Sequence, residues 1–88
     1  MKSDKWGILM VLGKPYAIDI LEALFSSPKR FSDLNEACGI EKTRIKRLKE
    51  LKEAGLVEVV VMQKGKRDFI HYKLTEKGDA ALRKAKEF

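Results

Sequence analysis

The chain is poor in the residues that carry chemistry. It has one cysteine, one histidine, one tryptophan and two prolines in 88 residues. A single cysteine excludes an intrachain disulfide and fits a reducing compartment. Cys38 follows Ala37 in an apolar stretch and reads as a small buried hydrophobe rather than a reactive thiol. His71 has no second histidine and no cysteine at ligand spacing, which excludes the common zinc sites. No glycine-rich phosphate loop follows a strand, and the few serines stand in turns. The expectation is therefore a non-enzyme with no cofactor and no metal. The longest apolar run, residues 6–12 (WGILMVL), is too short to cross a bilayer and does not read as a signal peptide.

What the chain has is positive charge. Lysine and arginine number 19 against 13 acids, a net charge of +6. A basic domain attracts polyanions, nucleic acid first and acidic membrane surfaces second. The charged fraction is 36% and the hydrophobic fraction 44%, as expected for a folded domain with a heavily ionised surface. Lysine and glutamate richness also fits a thermophilic source. A chain this short makes one domain and buries only about 60–65% of its unfolded surface, so a second copy would help cover apolar residues.

Apolar spacing divides the chain into elements. Residues 6–12 are apolar on every side except Gly7 and need a cover. Pro15 suits the first turn of a helix, which carries Ala17, Ile18, Leu21, Leu24 and Phe25 inward with Ile20 flanking, and ends at Ser26, Ser27 and Pro28. A short helix is expected over about 31–38, then a turn at Gly39, where positive φ costs nothing. A basic helix follows over about 41–54, with Gly55 in the left-handed position after its end. Residues 57–62 and 69–74 read as strands of a hairpin around a cationic loop. Thr75 caps a last helix to about residue 86.

The segments LGKPYAIDILEAL (12–24), RFSDLNEACGI (30–40), RLKELKEAGLVE (47–58) and YKLTEKG (72–78) together resemble the winged helix-turn-helix regulators of the HxlR, PadR and ArsR types, in an archaeal form. The resemblance covers nearly the whole chain. It implies a mainly α fold with a small β-hairpin, in the order α-α-α-α-β-β-α. Residues 1–88 would form a single DNA-binding domain, with the helix-turn-helix at about 31–54 and the wing at about 57–74. It further implies a cytoplasmic, nucleoid-associated homodimer that binds double-stranded DNA and regulates transcription. Its third core helix would enter the major groove and its wing would meet the backbone.

Helical geometry names the contacts independently. If Ile45, Leu48 and Leu51 face inward, Lys42, Thr43, Lys46 and Arg47 point outward from the first two turns. Arg47 or a lysine would donate to guanine, and Thr43 would meet a thymine methyl or a phosphate. Glu50 and Glu53 then lift the second half of the helix out of the groove. Arg44 stands where the related families carry an apolar residue; its stem would lie on the core edge with the charge reaching out. Lys64, Lys66 and Arg67 would bring the wing onto phosphates or the minor groove. Lys29 and Arg30, with the helix beginning at Ser32, would hold a further phosphate. Trp6, Leu9 and Met10 at the start, with Leu82, Ala85 and Phe88 at the end, are expected at the dimer interface (residues 1–13 and 75–88). No small-molecule effector and no membrane contact is evident. Two other readings stay open: a protein-docking winged helix, whose charged helix is merely solvated, and a sequence-tolerant architectural chromatin protein.

Overall fold

The computed structural model describes residues 4–87, with side chains from residue 6 onward. Four α-helices and one hairpin follow in order: α1 (Asp4–Leu12), α2 (Ala17–Ser26), a 3-10 turn (Ser32–Asn35), α3 (Glu41–Glu53), β1 (Val57–Lys64), β2 (Arg67–Leu74) and α4 (Glu76–Lys86). This is the winged helix-turn-helix arrangement that the sequence resembles.

The core is one cluster. Ala17, Ile20, Leu21 and Leu24 of α2 meet Leu34, Cys38, Leu48, Leu51, Leu56, Val57 and Leu82. Burial of each large aliphatic side chain contributes about 1.5–3 kcal/mol. Ile20 is fully buried whereas Phe25 is half exposed, so α2 is turned slightly from the expected orientation. Arg83 and Lys86 of α4 lie over the Phe25 ring instead. The helix begins after Tyr16, not at Pro15, and Tyr16 takes the left-handed backbone at φ 70°.

The end of α3 fixes the hairpin. Gly55 has φ +79°. Its N–H donates to Lys52 O and that of Leu56 to Leu51 O, while the fully buried Leu51 and Leu56 side chains supply the apolar contact of this helix stop. Thr75 then ties three elements together. Its hydroxyl donates to Gly55 O at 2.7 Å and accepts from the Gly78 amide at 2.9 Å. Gly78 has a steric role: a Cβ there would collide with the Leu56 carbonyl oxygen, so α4 packs this closely only without a side chain. Gly39, by contrast, is not among the residues with positive φ, so the turn does not require glycine there as expected.

The strands are longer than the sequence suggests. They pair from Val57↔Leu74 to Lys64↔Arg67, leaving only Gly65 and Lys66 in the loop. Val57 is 2% exposed, Val59 37% and Val61 65%, so the hairpin starts in the core and projects away from it. Lys29 pairs with Tyr72 through two backbone hydrogen bonds, which anchors the approach to the 3-10 turn against β2. The expected helix over 31–38 is reduced to that single turn.

Candidate nucleic-acid interface

The inner side of α3 holds two leucines and two arginines. Arg44, Arg47, Leu48 and Leu51 are all buried. Taking about 100° per residue, their centre lies roughly 50° from the side marked by Ile45, Leu48 and Leu51. Ile45 is 53% exposed. The helix has therefore rolled, exchanging an isoleucine for two arginines.

Arg44 is occupied on three sides. Its Nε donates to Cys38 O at 2.9 Å, Nη1 to Phe31 O at 3.1 Å and Nη2 to Asn35 Oδ1 at 3.1 Å. The guanidinium also lies over the Phe31 ring. These partners bracket the 3-10 turn and the segment leading into α3. A one-turn helix leaves carbonyls without intrahelical donors, and a planar guanidinium supplies donors in a fixed fork. Its charge does not reach out, contrary to expectation, and Arg44 is excluded from direct DNA contact in this geometry.

Arg47 is corrected in the same way. It is expected, as an alternative to a lysine, to donate to guanine, but its Nε donates to Pro15 O at 2.9 Å and its Nη1 to Glu50 Oε1 at 2.6 Å. Lys14 Nζ meets the other Glu50 oxygen at 2.7 Å. The Glu50 carboxyl is held below the usual carboxylate range, first by the Lys14 hydrogen bond; burial opposes this, and Arg47 adds to it through hydrogen bond and charge. Glu50 thus pins the α1–α2 turn to α3 instead of repelling phosphates.

The outer side is cationic. Lys42, Lys46, Lys49 and Lys52 are exposed, and with Ile45 they fall within an arc of about 120° opposite the buried arginines. Thr43 is half-buried on the flank, and Glu53 is the acid at the far end. Lys49 and Lys52 extend this row beyond the residues expected from the sequence. Their three- and four-residue spacing from Lys42, Ile45 and Lys46 held the signal, hidden by the assumption that Ile45 faced inward. At the hairpin tip Lys64, Lys66 and Arg67 are exposed, with Asp68 among them.

The remaining candidates divide. Arg30 is exposed beside the wing, with its guanidinium over Phe69 at 4.5 Å. The Lys29 ammonium is engaged by Ser27 Oγ at 2.7 Å and Ser26 Oγ at 3.2 Å. The Asp33 carboxylate accepts from the Arg30 amide, placing an anion where a phosphate was expected. That phosphate site is not formed. His71 is half-buried, its Nδ1 3.1 Å from Phe69 O. Cys38 is buried, as read from the sequence.

Among the proposed dimer residues, Trp6, Leu9 and Met10 are exposed, at 65%, 52% and 59%. Leu82 is 1% exposed and belongs to the core of its own chain, which removes it from the interface; Ala85 is half-buried. Phe88 lies outside the described residues. No helix among the described residues is long and apolar enough to cross a membrane, and no cluster of metal-ligating side chains occurs among them.

A short helical turn leading into a lysine-faced helix, followed by a cation-tipped hairpin, defines a winged helix-turn-helix of the kind found in transcription regulators. The chain belongs to the HxlR-like helix-turn-helix family, whose model matches residues 3–87. Among solved structures it is similar to the reduced form of the transcriptional regulator YodB from B. subtilis, at 31% identity and a TM-score of 0.83 over 99% of this chain and 86% of that one. It also shares the fold of a MarR-family regulator from Enterococcus faecalis V583, at 23% identity and a TM-score of 0.76 over 99% and 83% of the two chains. A homodimeric winged helix-turn-helix DNA-binding domain from Mycobacterium bovis matches at 19% identity and a TM-score of 0.74, over 96% and 76%. Comparison with curated proteins returned no match.

Proposed function

We propose that the protein is a homodimeric, sequence-specific regulator of transcription that lays the outer side of α3 in the major groove. Family membership implies DNA binding. The observation that carries the finer reading is the row of Lys42, Lys46 and Lys49, exposed along one side of α3 with no acid between them. Thr43 flanks that row and meets a phosphate. Lys64, Lys66 and Arg67 reach the neighbouring backbone from the wing, and Arg30 adds a cation near its base. The exposed Trp6, Leu9 and Met10 on α1, with Ala85 on α4, supply the apolar surface that a second copy covers. A two-fold dimer then places two recognition helices about one DNA turn apart.

Selection of bound sequences from a random duplex pool tests this reading. A two-fold symmetric site, bound with affinity that falls steeply as salt rises, is the expected result. Equal binding to all duplexes would assign the protein to architectural chromatin binding. Affinity that is absent, or flat from low to moderate salt, would favour a docking module.

A further inference from the structure

We propose that Ile45 is a specificity-determining residue that reads the C5-methyl group of a thymine in the major groove. The inference rests on the DNA-binding reading above and assigns a role to a residue that the lysine row leaves unexplained.

An isolated exposed isoleucine needs no explanation, but the setting of this one is specific. It is 53% exposed. Lys42 lies one turn before it, Lys46 beside it and Lys49 one turn after it, all exposed. Lys52 follows a further turn on, and exposed Glu41, one turn before Ile45, is the acid on its other side. Ile45 also sits on the lip of an open groove lined by Phe31, Leu48, Val59 and Tyr72, with Lys49 and Lys52 on the rim. The core is closed by Leu48 and Leu51 without it.

The ligand follows from the chemistry of that surround. Four ammonium groups against the single carboxylate of Glu41 favour an anionic surface, which argues against an apolar protein partner on this side. On the major-groove edge of unmodified DNA the apolar group is the thymine methyl; the other edge groups are hydrogen-bond donors and acceptors. An isoleucine cannot satisfy those donors and acceptors. Burying it against them would leave them unpaired, so it also disfavours cytosine and guanine at the same position. The side chain is ready-made for such a contact. A β-branched residue in a helix holds one χ1 rotamer, so little freedom is lost on binding. The lysines supply the complementary half, holding phosphates and setting the depth at which the methyl meets Ile45.

The test replaces thymine by deoxyuridine, one position at a time, in a duplex recovered by selection. This deletes the methyl and leaves base pairing intact. One or two thymines per half-site should prove sensitive, with wild-type affinity falling about fourfold at each, the value of one buried methyl. Ile45→Ala should bind the thymine duplex more weakly and show no loss on going to deoxyuridine, and Ile45→Val should keep most of the discrimination. Since the side chain is exposed, all variants should keep the wild-type melting temperature. A protein that selects no duplex fails the sequence-specific reading itself. A protein that selects a duplex but has no uracil-sensitive position overturns the Ile45 assignment alone. Equal uracil sensitivity in Ile45→Ala also overturns it. A change of oligomeric state in Ile45→Ala assigns the side chain to contact between copies, with the same consequence.

Discussion

The two sides of α3 carry the same sign of charge and use it in opposite ways. Inside are Arg44 and Arg47, their donors committed to backbone carbonyls, Asn35 and Glu50. Outside are Lys42, Lys46, Lys49 and Lys52, exposed to water. The division follows the chemistry of the groups. A guanidinium is planar, weakly hydrated and can satisfy several acceptors at once; an ammonium is compact, strongly hydrated and costly to bury. The net charge of this helix therefore overstates what it offers to DNA. Its arginines hold α3 in place, and its lysines are left free for the DNA contact proposed above.

The comparison breaks most visibly at Arg44. Arg44→Ala leaves a void and strips the Cys38 carbonyl of its side-chain donor. A loss of about 2–4 kcal/mol is expected from these two effects. For a domain of this size that corresponds to a fall in melting temperature of roughly 10–25 °C. Arg44→Leu should recover part of it, because an apolar side chain fills the space and carries no buried charge. If Arg44→Ala melted within about 2 °C of wild type and lost only DNA affinity, the inner side would be a binding side after all.

The acid limb of the stability curve tests the second strut. Glu50 has a lowered pKa in the fold, so its contribution is fully present above the ordinary carboxylate range and is lost as pH falls through the folded value. Glu50→Gln should cost about 1–2 kcal/mol at neutral pH. Lys14 is 40% exposed, so water screens its share and Arg47 supplies the better-shielded contact. Melting curves of wild type and Glu50→Gln should converge in acid. Curves that stay parallel from neutral pH down through the carboxylate range would mean that Glu50 holds nothing.

The sequence made the fold more legible than the site, for one physical reason. Element order rests on local signals: the Gly55–Leu56 helix stop, the Thr75 cap and the β-branched run of β1. The helical side-chain spacing over 31–38 exceeds the helix that forms: short-range bonds close a single turn, and Arg44 donates to the Phe31 and Cys38 carbonyls at its two ends. The site depends on the roll of α3, and in a sequence roll is legible only by putting apolar residues inside. That rule fails where an arginine finds enough acceptors to be buried. Ile45 is displaced outward, and Arg47, expected at DNA, is bonded to the carbonyl of Pro15, far away in sequence. No local pattern announces a partner 32 residues distant.

The smallest effect on stability, and the cleanest on binding, belongs to the lysines. Lys46→Ala removes an exposed charge with no side-chain partner among the hydrogen bonds and ion pairs described, so stability should stay within about 0.5 kcal/mol of wild type. DNA affinity should fall several-fold across sequences, and the slope of log affinity against log salt should shrink by about one. Lys49→Ala is the sharper variant. With Ile45 inside the helix, Lys49 would belong to the half that leaves the groove, and its removal would change nothing. With the observed roll it lies on the same arc as Lys42 and Lys46, and its loss should match that of Lys46→Ala in both slope and melting temperature. A Lys49→Ala protein with wild-type salt dependence would place the binding side elsewhere on the helix and undo the division between its two faces.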